Sequence, residues 1–507
     1  MSECKKDRKQ TVVRCAKAAA FAILALFMIH GLTRLLTPKW IGIWNACKID
    51  TQFYREQKNS MDVIFMGSSC GSSSIDPVQL FDETGIMSYD LCNNSQPLLS
   101  TYFWVKEVLK TQSPKMIILE VVSIGMETAK EELKARRSYE YMKWSKNKLD
   151  YANAYVAAGD GNYGLISYLF PLYLYHSRWS SLTVDDFAFV AGDDGTLMRG
   201  FTPNRTTLAE AIPDFEYTGL DETEEEELEL LPSNTEYLQK IIDLCKENEI
   251  ELMLMKTCDS KWMTSSHEYI SQVAEENDLL FLDMNLPEIV EETGIVMRED
   301  AMDTRHLNLR GAQKTTEYLG KYLREHTDLP DRRGEERYEK IIGASREYHD
   351  CLLEDLMLCF SDSFCDYAGR LAETPRYVVL AALSGTEGTI TAEEKEVLRT
   401  FGLEENFLEK PVIPETRMLI KASTADRSAA AKRGGKDLAE EGTLPTGEIY
   451  EMSASGSGIS ILIDGKEYAS DSTGISVVIY DTVLQTVSDQ FALSFGKDGT
   501  GLTLKRG

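Results

Sequence analysis

The hydrophobic pattern of the chain alternates between short, continuous apolar runs and longer stretches in which apolar residues recur every three or four positions. Continuous runs predict buried strands of a parallel sheet, because such strands are covered on both faces. These runs occupy residues 63–66, 87–91, 116–122, 251–256 and 279–283. The stretches of helical period are residues 75–85, 100–112, 235–247, 264–276 and 309–323. The alternation predicts an α/β domain, a three-layer sandwich of helices around a five-stranded parallel sheet.

The ends of two of these helices carry sequence signals. Asp76 and Pro77 are typical of an N-cap followed by the first helical residue, and Gly85 is typical of the position just after a helix. Asn308 is a candidate N-cap for the last helix of the domain. Strand and helix boundaries in this half of the chain are therefore well marked.

The N-terminus combines a basic segment with a single apolar run. Residues 18–36 are apolar apart from four positions, and six basic residues precede them: Lys5, Lys6, Arg8, Lys9, Arg14 and Lys17. A cleaved signal peptide has a similar pattern, but no convincing small-x-small cleavage site follows. We therefore predict a cytoplasmic segment at residues 1–17 and a transmembrane signal anchor at residues 18–37. By the positive-inside rule, everything after Pro38 lies outside the cytoplasm, with the protein in the cell membrane.

A less regular region, residues about 127–232, interrupts the alternation and is rich in Tyr and Trp. It reads as an insertion into the α/β domain. His176, Arg178 and Trp179 are candidate substrate-binding residues, since a guanidinium fork and an aromatic face suit sugars or phosphates. The alternative is a packed aromatic segment with one solvated arginine.

Composition excludes several classes of function. The chain has 507 residues and a formal net charge of −28, so it lacks the basic surface that nucleic acids require. Its ten cysteines contain no C-x-x-C pair with partner ligands, and we predict no metal and no cofactor. Cys70 and Cys92 should lie in loops at the same sheet edge, where a disulfide is conceivable. Two small buried thiols are the alternative.

Two short motifs carry the candidate chemistry. Gly67 ends the first strand and is followed by a serine cluster, so Ser69 lies where backbone amides can donate to an oxyanion. Residues 303–311 read DTRHLNLRG, in which Asp303 and His306 can meet across one turn. An imidazole that takes a proton from serine needs a carboxylate on its other nitrogen. In a sheet of order 2-1-3-4-5, Ser69 would lie where the strand order reverses.

Together these motifs resemble the first and last blocks of the SGNH (GDSL-like) hydrolases, in which a G-x-S follows the first strand and a D-x-x-H precedes the last helix. The resemblance covers roughly residues 62–323 and implies Ser69, Asp303 and His306 as the catalytic residues. The middle blocks differ: residues 90–95 read DLCNNS and residues 120–123 read EVVS. The resemblance then implies that Asn93 or Asn94, with the Ser69 amide, supplies the oxyanion donors.

The departures in the middle blocks are similar to the membrane-anchored branch of this superfamily, which includes DltD and the alginate O-acetylation proteins. That resemblance implies an extracytoplasmic esterase or O-acyltransferase, most simply for acetyl groups, acting on a cell-surface polysaccharide or teichoic acid. It also implies a membrane-bound O-acyltransferase as partner. The alternative is a non-catalytic, membrane-anchored adaptor that binds the glycan for such an enzyme.

The composition changes at residues 329–342, a charged stretch that we predict to be a linker between an SGNH-like domain at residues 38–328 and a separate α+β domain at residues 343–507. The clearest elements of this second domain are strands at residues 377–383, 459–463 and 475–480 and a helix at residues 391–400. Residues 377–403 and 455–481 resemble the two halves of the interleukin-like EMT inducer domain, but they occur in swapped order. The resemblance implies a circularly permuted, carbohydrate-associated module. Residues 429–435 (AAAKRGG) are predicted to be a flexible loop.

Overall fold

The computed structural model divides the chain into two compact units, residues 1–346 and residues 347–507. Each is described by itself below. The structure describes residues 2–40, 46–125, 132–158, 164–183, 186–187, 198–220, 228, 230–361 and 363–505.

The first unit is built on a five-stranded, all-parallel sheet. Its strands are β1 (Val63–Met66), β2 (Ser88–Asp90), β3 (Met116–Glu120), β4 (Glu251–Lys256) and β5 (Leu280–Asp283). They are arranged in the order β2-β1-β3-β4-β5. The predicted sheet is therefore confirmed, and the order reverses at β1. Such a reversal opens a crevice at the carboxyl ends of the strands.

Helices cover both faces of this sheet. The helices of the first unit are α1 (Ser2–Leu36), α2 (Ala46–Phe53), α3 (Ser69–Ser74), α4 (Pro77–Thr84), α5 (Leu98–Val108), α6 (Glu132–Glu140), α7 (Lys146–Ala158), α8 (Leu165–Leu169), α9 (Leu172–Tyr175), α10 (Leu208–Ala211), α11 (Pro232–Glu247), α12 (Thr264–Asn277), α13 (Pro287–Thr293), α14 (Met297–Asp300), α15 (Leu309–His326) and α16 (Glu336–Leu358). Short 3₁₀ helices lie at Val121–Gly125 and Arg178–Ser181.

Alternate side chains of the strands point into two separate cores. In β1, Ile64 and Met66 join a core that includes α5 and α11, whereas Val63 and Phe65 join a core that includes α15. All four side chains are fully buried. This two-sided burial explains why the strand reads as a continuous apolar run, and it gives the three-layer sandwich predicted from the sequence.

The helix signals act as expected. The Asp76 carboxylate accepts hydrogen bonds from the backbone of the first turn of α4, and Gly85 ends that helix with a left-handed φ of 74°. Asn308 caps α15 by accepting from the backbone N–H groups of Arg310 and Gly311. The cap at Asn308 matters for the site, because it fixes the chain just after His306.

The described parts of the predicted insertion are more regular than expected. The four helices α6 to α9 lie within residues 132–158 and 164–175, and a cluster of tyrosines joins them to the first core: Tyr139, Tyr151, Tyr155 and Tyr168. The aromatic residues that looked irregular in sequence are thus largely a packed layer. Most of the acidic end of this region, residues 221–227 and 229, lies outside the described residues.

The long N-terminal helix α1 contains an apolar segment of 25 residues, Val12–Leu36, in which an 18-residue window has a mean hydropathy of 2.1 and is not buried against the protein. At about 1.5 Å per residue this segment is long enough to cross a hydrocarbon core of about 30 Å. A single-pass helix at the N-terminus is therefore compatible with the sequence prediction.

The second unit pairs two antiparallel sheets with helices. Its helices are α17 (Phe364–Glu373), α18 (Ala392–Thr400) and α19 (Glu405–Leu408). Its strands are β6 (Tyr377–Ser384), β7 (Arg417–Ser423), β8 (Ser428–Gly434), β9 (Leu438–Thr443), β10 (Ile449–Ser455), β11 (Gly458–Ile463), β12 (Lys466–Glu467), β13 (Gly474–Asp481), β14 (Thr486–Phe495) and β15 (Leu502–Lys505). The sheet orders are β15-β14-β13-β6-β7-β8 and β12-β11-β10-β9. A separate C-terminal α+β unit is confirmed.

Two details of this half differ from the sequence expectations. Residues 429–435 were predicted to be a flexible loop, but Ser428–Gly434 form the edge strand β8, paired along its length with β7. Ala and Gly have low strand propensity, and here the ladder with β7 overrides it. The predicted linker at residues 329–342 overlaps the start of α16, and the boundary between the units falls within that helix.

Candidate active site

The turn after β1 is shaped by Gly67. Its φ of 148° lies in the region that favours glycine, and a Cβ at this position would approach the Cβ and carbonyl oxygen of Glu120 to 2.8 Å. Glycine is therefore required both for the backbone conformation and for close packing against the end of β3. Ser69 follows as the first residue of α3, so its N–H lies outside the hydrogen-bond ladder of that helix.

The structure brings Ser69 and His306 together from positions 237 residues apart in the chain. The Ser69 hydroxyl oxygen lies 2.9 Å from Nε2 of His306, and Nδ1 of His306 lies 2.9 Å from a carboxylate oxygen of Asp303. Ser69 is only 6% exposed, so it is almost completely buried. This is the serine–imidazole–carboxylate relay in which the imidazole can take and return a proton.

Asp303 is held as a carboxylate by its own loop. Burial alone would raise the pKa of Asp303, but the hydrogen bond from His306 and those from the backbone N–H groups of Arg305 and His306 lower it below its usual value. An ionised Asp303 fixes the tautomer in which Nδ1 of His306 carries the proton. Nε2 is then the acceptor that faces Ser69.

The loop that carries His306 is attached to two neighbouring segments. The Cys70 thiol, next to the nucleophile, donates to the Arg305 carbonyl at 3.7 Å. The backbone N–H and the hydroxyl of Ser260 both donate to the Thr304 carbonyl, at 3.0 and 2.8 Å. The position of the imidazole is therefore set by contacts from α3 and from the loop after β4.

A buried ionic network that the sequence reasoning missed lies beneath the site. Lys256, fully buried at the end of β4, is 3.0 Å from a Glu120 carboxylate oxygen and 3.5 Å from one of Asp259. Burial alone would lower the pKa of Lys256, but the adjacent carboxylates raise it above its usual value, so the lysine remains charged. Glu120 contacts the Gly67 turn and Asp259 adjoins Ser260, so Lys256 connects the supports of Ser69 and His306.

One signal could have revealed this network. Glu120 ends the run MIILE and Lys256 ends the run ELMLMK, each directly after buried apolar residues. The carboxyl ends of parallel strands meet at one edge of the sheet, where sites form. An ionisable residue at the carboxyl end of a buried strand is therefore a better candidate for a site residue than an ionisable residue in a loop.

The two predicted oxyanion residues lie beside the nucleophile turn, with different contacts. The backbone N–H of Asn93 donates to the Gly67 carbonyl at 3.1 Å, while its side-chain amide donates to Asp50 at 3.3 Å. The side-chain oxygen of Asn94 accepts from Ser95. These contacts place residues 93–94 against the turn, and the oxyanion role of either side chain stays a prediction.

His176, Arg178 and Trp179 are placed elsewhere in the unit. Arg178 donates to the Leu36 carbonyl, at the end of α1, and to the carboxylate of Asp186. His176 is exposed, and Trp179 is 56% exposed. Among the contacts of the described residues, none joins these three side chains to Ser69 or His306, and their substrate-binding role stays a prediction. The Arg178 guanidinium instead stabilises the contact between this region and the end of α1.

Cys70 and Cys92 are both buried free thiols, which agrees with the second of the two alternatives. Burial raises the pKa of each thiol. The Cys92 sulfur fills the space beside Gly71, where a Cβ would come within 2.4 Å of it. Within the described residues, no group of three or more His, Cys, Asp or Glu side chains is arranged to hold a metal ion.

Comparisons with known proteins show a weak likeness to a solved structure. No protein-family model matches the chain, and no curated protein matches it. A GDSL-like lipase from Bacteroides thetaiotaomicron aligns over 55% of this chain and 98% of its own, with a TM-score of 0.26 and 11% sequence identity. A likeness at this TM-score supports no inference about activity, and we base the function below on the geometry of the site.

Proposed function

We propose that the first unit is a serine esterase or O-acyltransferase of the SGNH type, which moves an acyl group, most simply acetyl, through a covalent intermediate on Ser69. The observation that carries this proposal is the relay from Ser69 through His306 to Asp303, with 2.9 Å at each step. The relay ends at the carboxyl edge of the sheet, beside the reversal of strand order.

In the first half of the reaction, the Ser69 oxygen attacks the carbonyl carbon of an ester. Its proton passes to Nε2 of His306, and the imidazolium is stabilised by Asp303. The negative charge that develops on the carbonyl oxygen requires donors already in place. The N–H of Ser69, outside the ladder of α3, is one such donor, and Asn93 or Asn94 is the second.

The tetrahedral intermediate then collapses, and the carbon–oxygen bond to the leaving alcohol breaks. The leaving alkoxide takes the proton from His306, which leaves an acyl ester on Ser69. In the second half, a hydroxyl of the acceptor gives its proton to His306 and attacks this ester. The bond from the acyl carbon to the Ser69 oxygen then breaks, and His306 returns the proton to that oxygen. Water as acceptor gives hydrolysis, and a sugar hydroxyl gives transfer.

The acceptor and the partner follow from the sequence resemblance. A membrane-anchored protein of this type would act on a cell-surface polysaccharide or teichoic acid, beside a membrane-bound O-acyltransferase that supplies acyl groups. The single apolar helix Val12–Leu36 supports the anchoring part of this proposal. The folded units would then lie outside the cytoplasm.

The proposal is tested with a fluorophosphonate probe, which reacts with serine nucleophiles that an imidazole activates. Full-length protein in detergent should be labelled, and Ser69→Ala should abolish the labelling while its melting profile stays that of the wild type. Labelling that is absent from the wild type, or that persists in Ser69→Ala, would contradict the proposal. A non-catalytic adaptor makes the opposite prediction in cells, where Ser69→Ala would retain full glycan acylation.

A further inference from the structure

An open groove of about 770 Å³ lies between the outer part of α1 and helices α6 to α9 of the first unit. Its lining includes the apolar side chains of Leu26 and Ile29 of α1 and of Phe170. It also includes four basic residues: Arg34, Arg55, Lys143 and Lys148. The groove therefore has an apolar part that begins within the predicted membrane segment and a charged part on the folded domain.

Contacts at the end of α1 hold this part of the domain next to the membrane surface. The Lys39 ammonium caps the helix by donating to the Leu35 carbonyl, and it pairs with Asp186 at 3.1 Å. The Tyr141 hydroxyl donates to the Pro38 carbonyl at 2.7 Å. The end of α1 is thus attached to the domain through buried, paired groups. With α1 in the membrane, as proposed above, the surface around this attachment lies at the lipid–water boundary.

The surface around the groove has the composition of such a boundary. Five large aromatic side chains among the described residues of the insertion are more than half exposed: Trp144, Phe170, Tyr173, Trp179 and Phe187. Exposed aromatics of this size are unusual on a surface that faces only water, whereas Trp and Tyr are enriched where proteins meet lipid headgroups. They belong to the same helical region that contacts α1.

The charged end of the groove is basic in a chain whose net charge is −28. Arg55 and Lys143 are exposed, and the Lys143 ammonium lies 4.2 Å from the centre of the Tyr54 ring. Among the described residues that line the groove, Glu140 is the only carboxylate, and it is paired with Arg136 at 3.0 Å. A positive end next to an apolar wall fits an anionic amphiphile.

We propose that the groove binds an anionic phospholipid from the leaflet next to the folded domain. Its acyl chain lies against Leu26, Ile29 and Phe170, and its phosphate lies between Arg55 and Lys143. This lipid site shares no residue with the Ser69 relay, and it does not depend on the activity proposed for that relay.

The test is native mass spectrometry of the full-length protein released from detergent in the presence of phosphatidylglycerol or phosphatidylcholine. Wild type should retain phosphatidylglycerol in preference to phosphatidylcholine. Arg55→Glu with Lys143→Glu removes two basic groups from the lipid headgroup and should lower retention of phosphatidylglycerol by about 30-fold or more. The matched control, Lys58→Glu with Lys115→Glu, reverses two exposed lysines outside the groove and should leave retention unchanged.

Three outcomes would overturn the proposal. The first is equal retention of the two lipids by wild type, and the second is the same loss of phosphatidylglycerol in the control as in the groove variant. The third concerns the acyl chain: if glycerol phosphate displaces phosphatidylglycerol at equal concentration, the groove is a phosphate site and not a lipid site. Because the substituted residues are exposed, unchanged melting profiles should accompany all four substitutions.

Discussion

The described residues of the first unit include two Ser–His–Asp groups, and their comparison shows what a catalytic arrangement needs beyond three side chains. In the second group, Nδ1 of His267 lies 2.8 Å from Asp283 and Nε2 lies 3.3 Å from the Ser271 hydroxyl. Its hydrogen-bond pattern is nearly that of Ser69, His306 and Asp303. By the distances alone, the two groups would be hard to tell apart.

The difference lies in the backbone around each serine. Ser271 is in the middle of α12, where every nearby N–H belongs to the helical ladder, so no amide is available to an oxyanion. Ser69 stands at the start of α3, directly after the Gly67 turn. We infer that His267 stabilises the fold by linking α12 to the end of β5, whereas His306 is placed to act on a substrate.

The largest expected effect separates the two serines. Ser69→Ala should lower the rate of ester hydrolysis by about 10⁶-fold, the scale seen when the nucleophile of a serine hydrolase is removed. Ser271→Ala should change the rate less than twofold, because no step uses that hydroxyl. Steady-state kinetics with a chromogenic acetyl ester measures both. A large loss in Ser271→Ala would reverse the assignment of the two groups.

The two aspartates should separate rate from stability. Asp303→Asn should lower kcat by about 10⁴-fold, because an amide no longer favours the tautomer with the proton on Nδ1. Asp303 is half exposed, so the melting temperature should change little. Asp283 is buried and also accepts hydrogen bonds from Trp262 and Asn285, so Asp283→Asn should lower the melting temperature and spare kcat. The same response in both variants would contradict the comparison.

A smaller effect is expected from the network that lies under only the first group. Lys256→Met leaves the carboxylates of Glu120 and Asp259 buried without their cation, which should cost about 3–5 kcal/mol of unfolding free energy. The variant should also lower kcat more than it changes KM, since Lys256 connects the supports of Ser69 and His306. Chemical denaturation and kinetics at a temperature where the variant is folded test the two parts. If kcat is unchanged in the folded variant, Lys256 has a purely structural role.

The sequence predicted those features that depend on local pattern. The parallel sheet was predictable because buried strands such as residues 63–66 read as continuous apolar runs. Ser69 and His306 could be paired because each lies in a short motif whose chemistry requires the other. Neither motif predicts how far apart the two side chains lie in space. The 2.9 Å contact between Ser69 and His306 is visible only in the folded structure.

The features that were missed depend on contacts distant in sequence. Lys256 looks like the solvated end of a strand until Glu120 and Asp259 are placed around it. His267 and Ser271 look like ordinary polar residues on a helix, because their partner Asp283 belongs to another element. Residues 429–434 belong to the strand β8 only because β7 offers a free edge to pair with. Long-range pairing, and not local propensity, decides each of these cases.

The smallest expected effect is a dependence of stability on pH that belongs to His267. The hydrogen bond to Asp283 raises the pKa of His267 above its usual value, although burial opposes this, so the fold favours the protonated ring. Its stabilisation is fully present below the unfolded pKa of about 6.5 and is lost as the pH rises through the folded pKa. A protonated ring also has no lone pair to accept the Ser271 proton, which is consistent with a structural role.

His267→Gln should therefore lower the melting temperature of the first unit more at pH 5.5 than at pH 8.5. At pH 5.5 the wild type has an ion pair between His267 and Asp283. The variant has only a neutral hydrogen bond from Gln to Asp283, at both pH 5.5 and pH 8.5. Scanning calorimetry of the two proteins at each pH gives the difference directly, and ester hydrolysis at pH 8.5 should be the same in both. If the difference in melting temperature between the two proteins stays constant or grows as the pH rises, then His267 is neutral in the folded protein and the assignment of the ion pair with Asp283 is wrong.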